Sequence, residues 1–130
     1  GTCSLVPGIE NQSEHIQAIS ILDRFLEHPR IFVFRNNGKE EVFMGSADIM
    51  ERNLDHRIEV ITQLLDKDIC KLLKEILELQ WRDNQKARTL VQGHLNEYVQ
   101  PGPGEKAIRS QMALYDFFEK QALAERLRIK

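Results

Sequence analysis

The sequence predicts an α/β protein with a small mixed sheet followed by C-terminal amphipathic helices. Short runs of β-branched and aromatic residues, separated by turn residues, fill the first half of the chain. From Asp66 onward the hydrophobic period changes to that of a helix. A stretch rich in proline and glycine, "YVQPGPGEK", then interrupts the helical pattern. We interpret residues 1–130 as one domain, with a sheet region in residues 1–65 and a mainly helical region in residues 66–130.

Five segments of the first half are rich in residues that favour extended backbone and are predicted to be strands. They are residues 2–6, 16–22, 30–35, 41–45 and 57–63. The hairpin between the third and fourth segments is the clearest of these elements. Asn37 and Gly38 lie between them, and both residue types readily adopt the positive φ angles of a tight turn. The third and fourth segments are therefore expected to pair in antiparallel fashion.

Two helices are predicted in the second half. The apolar positions of the first recur at intervals of three and four residues and are Ile69, Leu72, Leu73, Ile76 and Leu77. Asp66 precedes them as a suitable N-cap, which predicts a helix near residues 67–80. The same spacing recurs from Ile108 to Ala122 and predicts a second helix near residues 106–125.

Composition and charge exclude several classes of protein. With 42% hydrophobic and 29% charged residues, the chain has the composition of a globular domain. The net charge of −2 provides no overall attraction for nucleic acid, so any site for a polyanion must be local. No apolar stretch is long enough to span a membrane, and no signal peptide is present. Cys3 and Cys70 form no disulfide or metal pattern, which indicates a reducing, cytoplasmic location.

Polar residues around the predicted hairpin form a candidate site. His28 and Arg30 begin one strand, and Gly45 and Ser46 end its antiparallel partner, so the hairpin brings them to one edge of the sheet. Phosphoryl transfer uses these groups: an imidazole, fixed cations and donors for phosphate oxygens. Further polar candidates follow along the chain: Arg52, Asn53 and Arg57. Asp48 and Asp55 are interpreted as carboxylates that cap turns rather than as metal ligands.

The order of these residues resembles that of known enzymes. His28, Arg30 and the Gly-Ser pair resemble half of the phospholipase D signature, which has lysine in place of Arg30 and aspartate in place of Arg35. Nearly the whole chain resembles the C-terminal end of bacterial polyphosphate kinase (type 1). The segments that carry this resemblance are "CSLVPG", "SILDRFLEH", "GSADIMERNLDHRIEV" and "RSQMALYDFFEK". Ile49 differs, because that family usually has tryptophan there.

The resemblance to polyphosphate kinase implies a fold, an activity and roles for residues. The chain is then a phospholipase D-like half-domain at the C-terminal end of a longer kinase. That kinase reversibly transfers the terminal phosphate of ATP onto inorganic polyphosphate, with ATP or ADP and Mg²⁺ as cofactors. His28 is implied to be a catalytic histidine, distinct from a phosphorylated histidine located upstream of this chain. Arg57 is implied to contact nucleotide or polyphosphate phosphates, with Ser46, Arg30, Arg52 and Asn53 as further candidate phosphate ligands.

The resemblance also implies partners: ATP, polyphosphate, upstream domains of the same polypeptide and, for the full-length enzyme, a homo-oligomer. Neither nucleic acid nor a transmembrane segment is expected, and the isolated fragment is expected to be inactive.

Two other functions remain open at this stage. A phospholipase D-like phosphodiesterase requires two His-x-Lys halves, of which the chain provides one, with Arg30 as the cation. A non-catalytic assembly module would use the two amphipathic helices to pack against another domain or subunit. Two single residues also have non-functional alternatives. His28 is alternatively interpreted as a solvated loop histidine. Arg57 is alternatively interpreted as the partner of Glu59 in a solvent-facing ion pair of the sheet.

Overall fold

The computed structural model describes residues 5–90 and 96–128 and confirms the α/β class. Its elements in chain order are β1 (Ile19–Ile21), β2 (Ile31–Phe34), β3 (Glu41–Gly45), α1 (Glu51–Asp55), β4 (Ile61–Leu64), α2 (Lys67–Trp81), β5 (Ala87–Thr89) and α3 (Ser110–Arg128). They form two compact units. Unit 2 comprises Leu26–Leu77, and unit 1 comprises the chain up to Phe25 together with the chain from Glu78 onward. This grouping differs from the predicted division at residue 65.

Unit 2 contains an antiparallel sheet in the order β2-β3-β4. The predicted hairpin between β2 and β3 is confirmed, with Phe34 opposite Glu41 as its last pair. The connecting loop contains three consecutive residues with positive φ: Asn36 at 39°, Asn37 at 53° and Gly38 at 91°. Asparagine and glycine tolerate this backbone conformation better than other residues, which explains why the turn lies here.

β4 is shorter than predicted, because it begins at Ile61 rather than at residue 57. Its last pair with β3 is Gly45 with Ile61, and β3 ends there. Residues 57–60 therefore have no neighbouring strand to complete a ladder. The short helix α1 was not predicted, since five residues contain too little hydrophobic period to be recognised.

Helix α2 agrees with the prediction in position and in its cap. The carboxylate of Asp66 accepts hydrogen bonds from the backbone N–H groups of Asp68 at 2.9 Å and Ile69 at 3.0 Å. These bonds satisfy two of the donors that a helix start leaves unpaired. No helix in the described part of the chain is both long and apolar enough to span a membrane.

The strands of unit 1 form a separate sheet, in which β1 pairs antiparallel with β5. The expectation of one mixed sheet is thereby corrected to two antiparallel sheets. β1 covers only the middle of the predicted segment 16–22, and β5 was not predicted. Of the predicted strand 2–6, Leu5 and Val6 lie outside strands, and the remainder lies outside the described residues, as does Cys3.

The buried carboxylate of Asp83 determines where α3 begins. Its side chain is fully buried and accepts four backbone N–H groups, those of Gln85, Lys86 and Ala87 at one oxygen and that of Ser110 at the other. Burial alone would raise the pKa of Asp83, but the hydrogen bonds, that from Lys86 first, hold the pKa below its ordinary value. Because Asp83 caps Ser110, α3 starts four residues later than predicted.

Candidate functional site

The backbone of unit 2 brings three polar segments to the end of β3. The N–H of Gly45 donates to the carbonyl oxygen of Arg30 at 3.0 Å, and the N–H of Ser46 donates to that of Val60 at 3.0 Å. The segment that carries His28 therefore lies on one side of Gly45 and Ser46. The segment that follows Arg57 lies on the other side.

Gly45 is required here by the neighbouring strand. A Cβ atom at this position would lie 2.6 Å from the carbonyl oxygen of Val60 and 2.8 Å from Cγ1 of Ile61. Real Cβ atoms do not approach other atoms so closely, so only glycine allows this approach of β4. Val60 and Ile61 therefore occupy the space on this side of the Gly45 backbone.

His28, Arg30 and Asp48 form a cluster, which we call the histidine cluster. Nε2 of His28 lies 3.0 Å from Oδ1 of Asp48, and Nε of Arg30 donates to the same oxygen at 2.8 Å. Nη2 of Arg30 lies 3.1 Å from each ring nitrogen of His28. The side chain of His28 is 63% exposed, whereas that of Asp48 is 26% exposed. The imidazole is thus held from one side and accessible from the other.

The charges of this cluster reinforce each other. The hydrogen bond from Arg30 holds the pKa of Asp48 below its ordinary value, although partial burial opposes this effect. The same hydrogen bond raises the pKa of Arg30. Asp48 therefore stays ionised at neutral pH. The interpretation of Asp48 as a turn cap is wrong, because its carboxylate accepts from these two side chains and the N-cap of α1, Met50, has no side-chain cap.

Glu59 joins Ser46 and Asn53 in a second cluster, the glutamate cluster. The hydroxyl of Ser46 donates to the carboxylate of Glu59 and accepts the N–H of Val60 at 3.2 Å. Nδ2 of Asn53, a residue only 3% exposed, donates to the other carboxylate oxygen of Glu59 at 2.7 Å. The bond from Ser46, then that from Asn53, lowers the pKa of Glu59. The hydroxyl of Ser46 and one N–H of the Asn53 amide are therefore already used within the protein.

Glu59 was not predicted from the sequence to belong to the site, and it was named only as an alternative ion-pair partner of Arg57. The charges of Arg57 and Arg30 also lower the pKa of Glu59, which places both guanidinium groups within electrostatic range of one carboxylate.

Arg52 and Arg57 are exposed and keep their donors available. Within the described part of the chain, neither guanidinium forms a side-chain hydrogen bond or an ion pair within 4.0 Å. In particular, the ion pair between Arg57 and Glu59 that the sequence suggested as an alternative is not formed. An arginine in this condition can bind a phosphate through two parallel hydrogen bonds.

The other histidines of the described ranges do not join these clusters. His56 lies 3.9 Å from Glu51, and both side chains are largely exposed. His15 is exposed in a turn, and His94 lies outside the described residues. Across the described ranges, no group of three or more histidine, cysteine, aspartate or glutamate residues is arranged to hold a metal ion.

Comparison with known proteins gives consistent matches. The sequence model of a family described as polyphosphate kinase C-terminal domain 2 matches residues 1–111. The chain is 49% identical over 119 residues to a polyphosphate kinase of Vibrio cholerae, covering 92% of this chain and 17% of that protein. It is 44% identical over 119 residues to a polyphosphate kinase of Escherichia coli K12, with the same coverage of 92% and 17%.

A solved structure matches as well. The crystal structure of polyphosphate kinase from Porphyromonas gingivalis superimposes with a TM-score of 0.87 at 42% sequence identity, covering 93% of this chain and 18% of that one. The chain thus spans less than a fifth of the length of each of these relatives.

Proposed function

The chain belongs to the polyphosphate kinase family, and from this we propose that it forms part of the phosphoryl-transfer site of a longer polyphosphate kinase. The reaction transfers the terminal phosphoryl group of ATP to the end of a polyphosphate chain. In the first step the bond between the γ-phosphorus and its bridging oxygen breaks, ADP leaves, and a histidine nitrogen forms a bond to the phosphorus. In the second step this phosphorus–nitrogen bond breaks as a terminal oxygen of polyphosphate forms the new bond. A phosphohistidine in the upstream part of the same polypeptide carries the phosphoryl group between the two steps.

One observation supports this proposal most: the segments of His28 and Arg57 flank the same two residues, Gly45 and Ser46. An exposed imidazole and an available guanidinium at one end of a sheet suit a substrate that is rich in phosphate. In our proposal His28 exchanges a proton or a hydrogen bond with a phosphate oxygen during transfer. Arg57, with Arg52, holds the phosphates in position.

The other predicted phosphate ligands have a supporting role in this proposal. The donors of Ser46 and Asn53 are used by Glu59, and Nε of Arg30 is used by Asp48. A phosphate would have to displace those carboxylates to reach the donors that are already bonded. We therefore assign direct phosphate contact first to the two arginines whose donors are available.

Magnesium is proposed to arrive with the nucleotide. Mg²⁺ in kinases is commonly bound through substrate phosphates and one or two carboxylates, while keeping several waters. The described residues provide no cluster of three metal-binding side chains, so they do not fit a preformed magnesium cage. ATP and polyphosphate then come to the site as phosphate ligands of the arginines.

Exposed apolar side chains of unit 2 support a further part of the proposal, contact with the rest of the polypeptide. Ile58 is 100% exposed, Leu26 98%, Leu65 82% and Ile49 79%. A stable globular protein gains free energy by burying such side chains, about 25 cal/mol per Å² of apolar surface. We propose that upstream domains cover them. A homo-oligomer and a cytoplasmic location, where thiols such as Cys70 stay reduced, belong to the same proposal.

An assay of the full-length kinase that carries this sequence tests the proposal against phosphodiester hydrolysis. The enzyme is incubated with ATP, Mg²⁺ and a polyphosphate primer, and separately with bis(p-nitrophenyl) phosphate. We expect growth of polyphosphate with release of ADP, and no release of nitrophenol. Hydrolysis of the diester without any polyphosphate synthesis would contradict the proposal and favour a phosphodiesterase.

A further inference from the structure

The position of Asp48 suggests a role that the sequence did not indicate. Asp48 lies three residues after the end of β3, close to the chain segment that leads into β2. Its side chain is mostly buried, at 26% exposure, while the imidazole that it contacts is 63% exposed. The largely buried carboxylate of Asp48 thus contacts the exposed imidazole of His28.

We infer that Asp48 is a positioning residue for His28, and that Arg30 serves this pair by holding Asp48 in place. The inference rests on the proposed function, in which His28 takes part in phosphoryl transfer. Asp48 itself contacts no substrate in this role and acts through the imidazole.

The hydrogen bond to Asp48 determines which nitrogen of His28 carries the proton. An ionised carboxylate only accepts hydrogen bonds, so the nitrogen that faces it, Nε2, must be the donor in the neutral ring. Nδ1 then keeps its lone pair, toward which Nη2 of Arg30 is placed to donate at 3.1 Å. In this inference Nδ1 exchanges a proton with a phosphate oxygen when the phosphate draws Nη2 away from the ring.

Arg30 contacts both members of the pair of His28 and Asp48. Its Nε donates to the same oxygen of Asp48 that His28 approaches, at 2.8 Å, and its Nη2 lies 3.1 Å from both ring nitrogens. These contacts limit rotation of the carboxylate and of the ring. A lysine has a single point of charge and no planar fork, so it could not make the same set of contacts.

The carboxylate beside His28 does not come from the position at which the phospholipase D signature has aspartate. Where that signature has aspartate, this chain has Arg35, which is exposed at the start of the hairpin loop. A carboxylate partner for the histidine is nonetheless present, since Asp48 provides it from the segment after β3.

Steady-state kinetics of the full-length kinase test the inference. We expect Asp48→Asn to lower kcat by about 10- to 100-fold while KM for ATP changes by less than about twofold. Asp55→Asn, the same chemical change at an exposed carboxylate of α1, should leave both constants unchanged. Formate should restore part of kcat in Asp48→Ala, because it can replace the missing carboxylate, and should not restore kcat in His28→Ala.

A double-mutant cycle shows whether Asp48 acts through His28. If it does, Asp48→Asn causes no further loss of kcat in a His28→Ala background. Two results would overturn the inference and leave the proposed function standing. The first is that Asp48→Asn lowers kcat by the same factor in the His28→Ala background as in wild type. The second is that Asp48→Asn has a wild-type kcat although His28→Ala is impaired. A wild-type kcat in His28→Ala would overturn both the inference and the proposed function.

The role of Arg30 is tested separately. For Arg30→Gln we expect a lower kcat with KM for ATP nearly unchanged. A raised KM with unchanged kcat would show that Arg30 binds phosphate instead.

Discussion

The backbone N–H of Ser46 donates a hydrogen bond of 3.0 Å to the carbonyl oxygen of Val60. This bond joins the end of β3 to the segment that precedes β4. Together with the hydrogen bond from the N–H of Gly45 to the carbonyl oxygen of Arg30, it links the part of the chain that carries His28 to the part that carries Arg57. Glycine at position 45 makes this close approach possible.

Substitution of this glycine should disturb the end of the sheet. We expect Gly45→Ala to destabilise unit 2 by about 1–3 kcal/mol, because the new methyl group would overlap the carbonyl oxygen of Val60. Hydrogen exchange of the β3 and β4 amides measures this change in the full-length protein. Gly102→Ala is the matched control, since a Cβ there meets its nearest neighbour at 3.5 Å. Equal protection of the strand amides in Gly45→Ala and wild type would refute this steric requirement.

Asp83 should make the stability of unit 1 depend on pH. The pKa of Asp83 is lowered in the folded state, so its stabilising contribution is complete above the ordinary value of about 4 and is lost as the pH falls through the folded-state pKa. We expect Asp83→Asn to be less stable than wild type by roughly 1–3 kcal/mol at pH 7, because an amide cannot accept all four N–H groups.

The difference between wild type and Asp83→Asn should shrink between about pH 5 and pH 3. Hydrogen exchange of the amides of Ala87 and Ser110 as a function of pH measures it. Asp116→Asn, at an exposed position of α3, is the control and should match wild type throughout. A difference that stays constant over this range would show that ionisation of Asp83 contributes nothing.

Arg57 should be sensitive to a change that preserves its charge. We expect Arg57→Lys to raise KM for ATP or polyphosphate about tenfold in the full-length kinase, because lysine cannot form two parallel hydrogen bonds to a phosphate. Arg35→Lys makes the same change at an exposed position of the hairpin loop and should have no effect. Equal constants for the two variants would remove Arg57 from the proposed phosphate site.

The isolated chain should not synthesise polyphosphate. Positioning of the reacting groups provides most of the catalysis of phosphoryl transfer, and the chain spans only 17% of its relatives from Vibrio cholerae and Escherichia coli K12. Purified residues 1–130 are incubated with ATP, Mg²⁺ and primer, with the full-length kinase as the positive control. Turnover of the isolated chain at the rate of the full-length kinase would place the complete active site within these residues.

The sequence predicted elements wherever the signal was local. Helix α2 and the hairpin followed from an N-cap, an apolar period and an Asn-Gly turn, each of which acts over a few residues. The start of α3 could not be predicted, because it depends on Asp83, which lies 27 residues earlier in the chain. Likewise, the division into two sheets depends on pairing between β1 and β5, which are distant in sequence.

The candidate site likewise contains residues that the sequence indicated and residues that only the structure revealed. His28 and Arg57 were singled out by motif and resemblance, and the structure has their segments on either side of the end of β3. The roles of Asp48 and Glu59 arise from contacts across 20 and 13 residues of sequence, to His28 and Ser46 respectively. A pattern of residue types does not indicate which donor such a carboxylate will accept from.

The rate of polyphosphate synthesis by full-length His28→Ala tests the proposed function most directly. His56→Ala serves as the control, because His56 is an exposed histidine of the same unit whose nearest carboxylate is 3.9 Å away. We predict that His28→Ala lowers kcat by at least about 100-fold, the contribution expected of a group that transfers a proton, and that His56→Ala keeps the wild-type rate. A wild-type rate of polyphosphate synthesis in His28→Ala would contradict the catalytic role of this histidine.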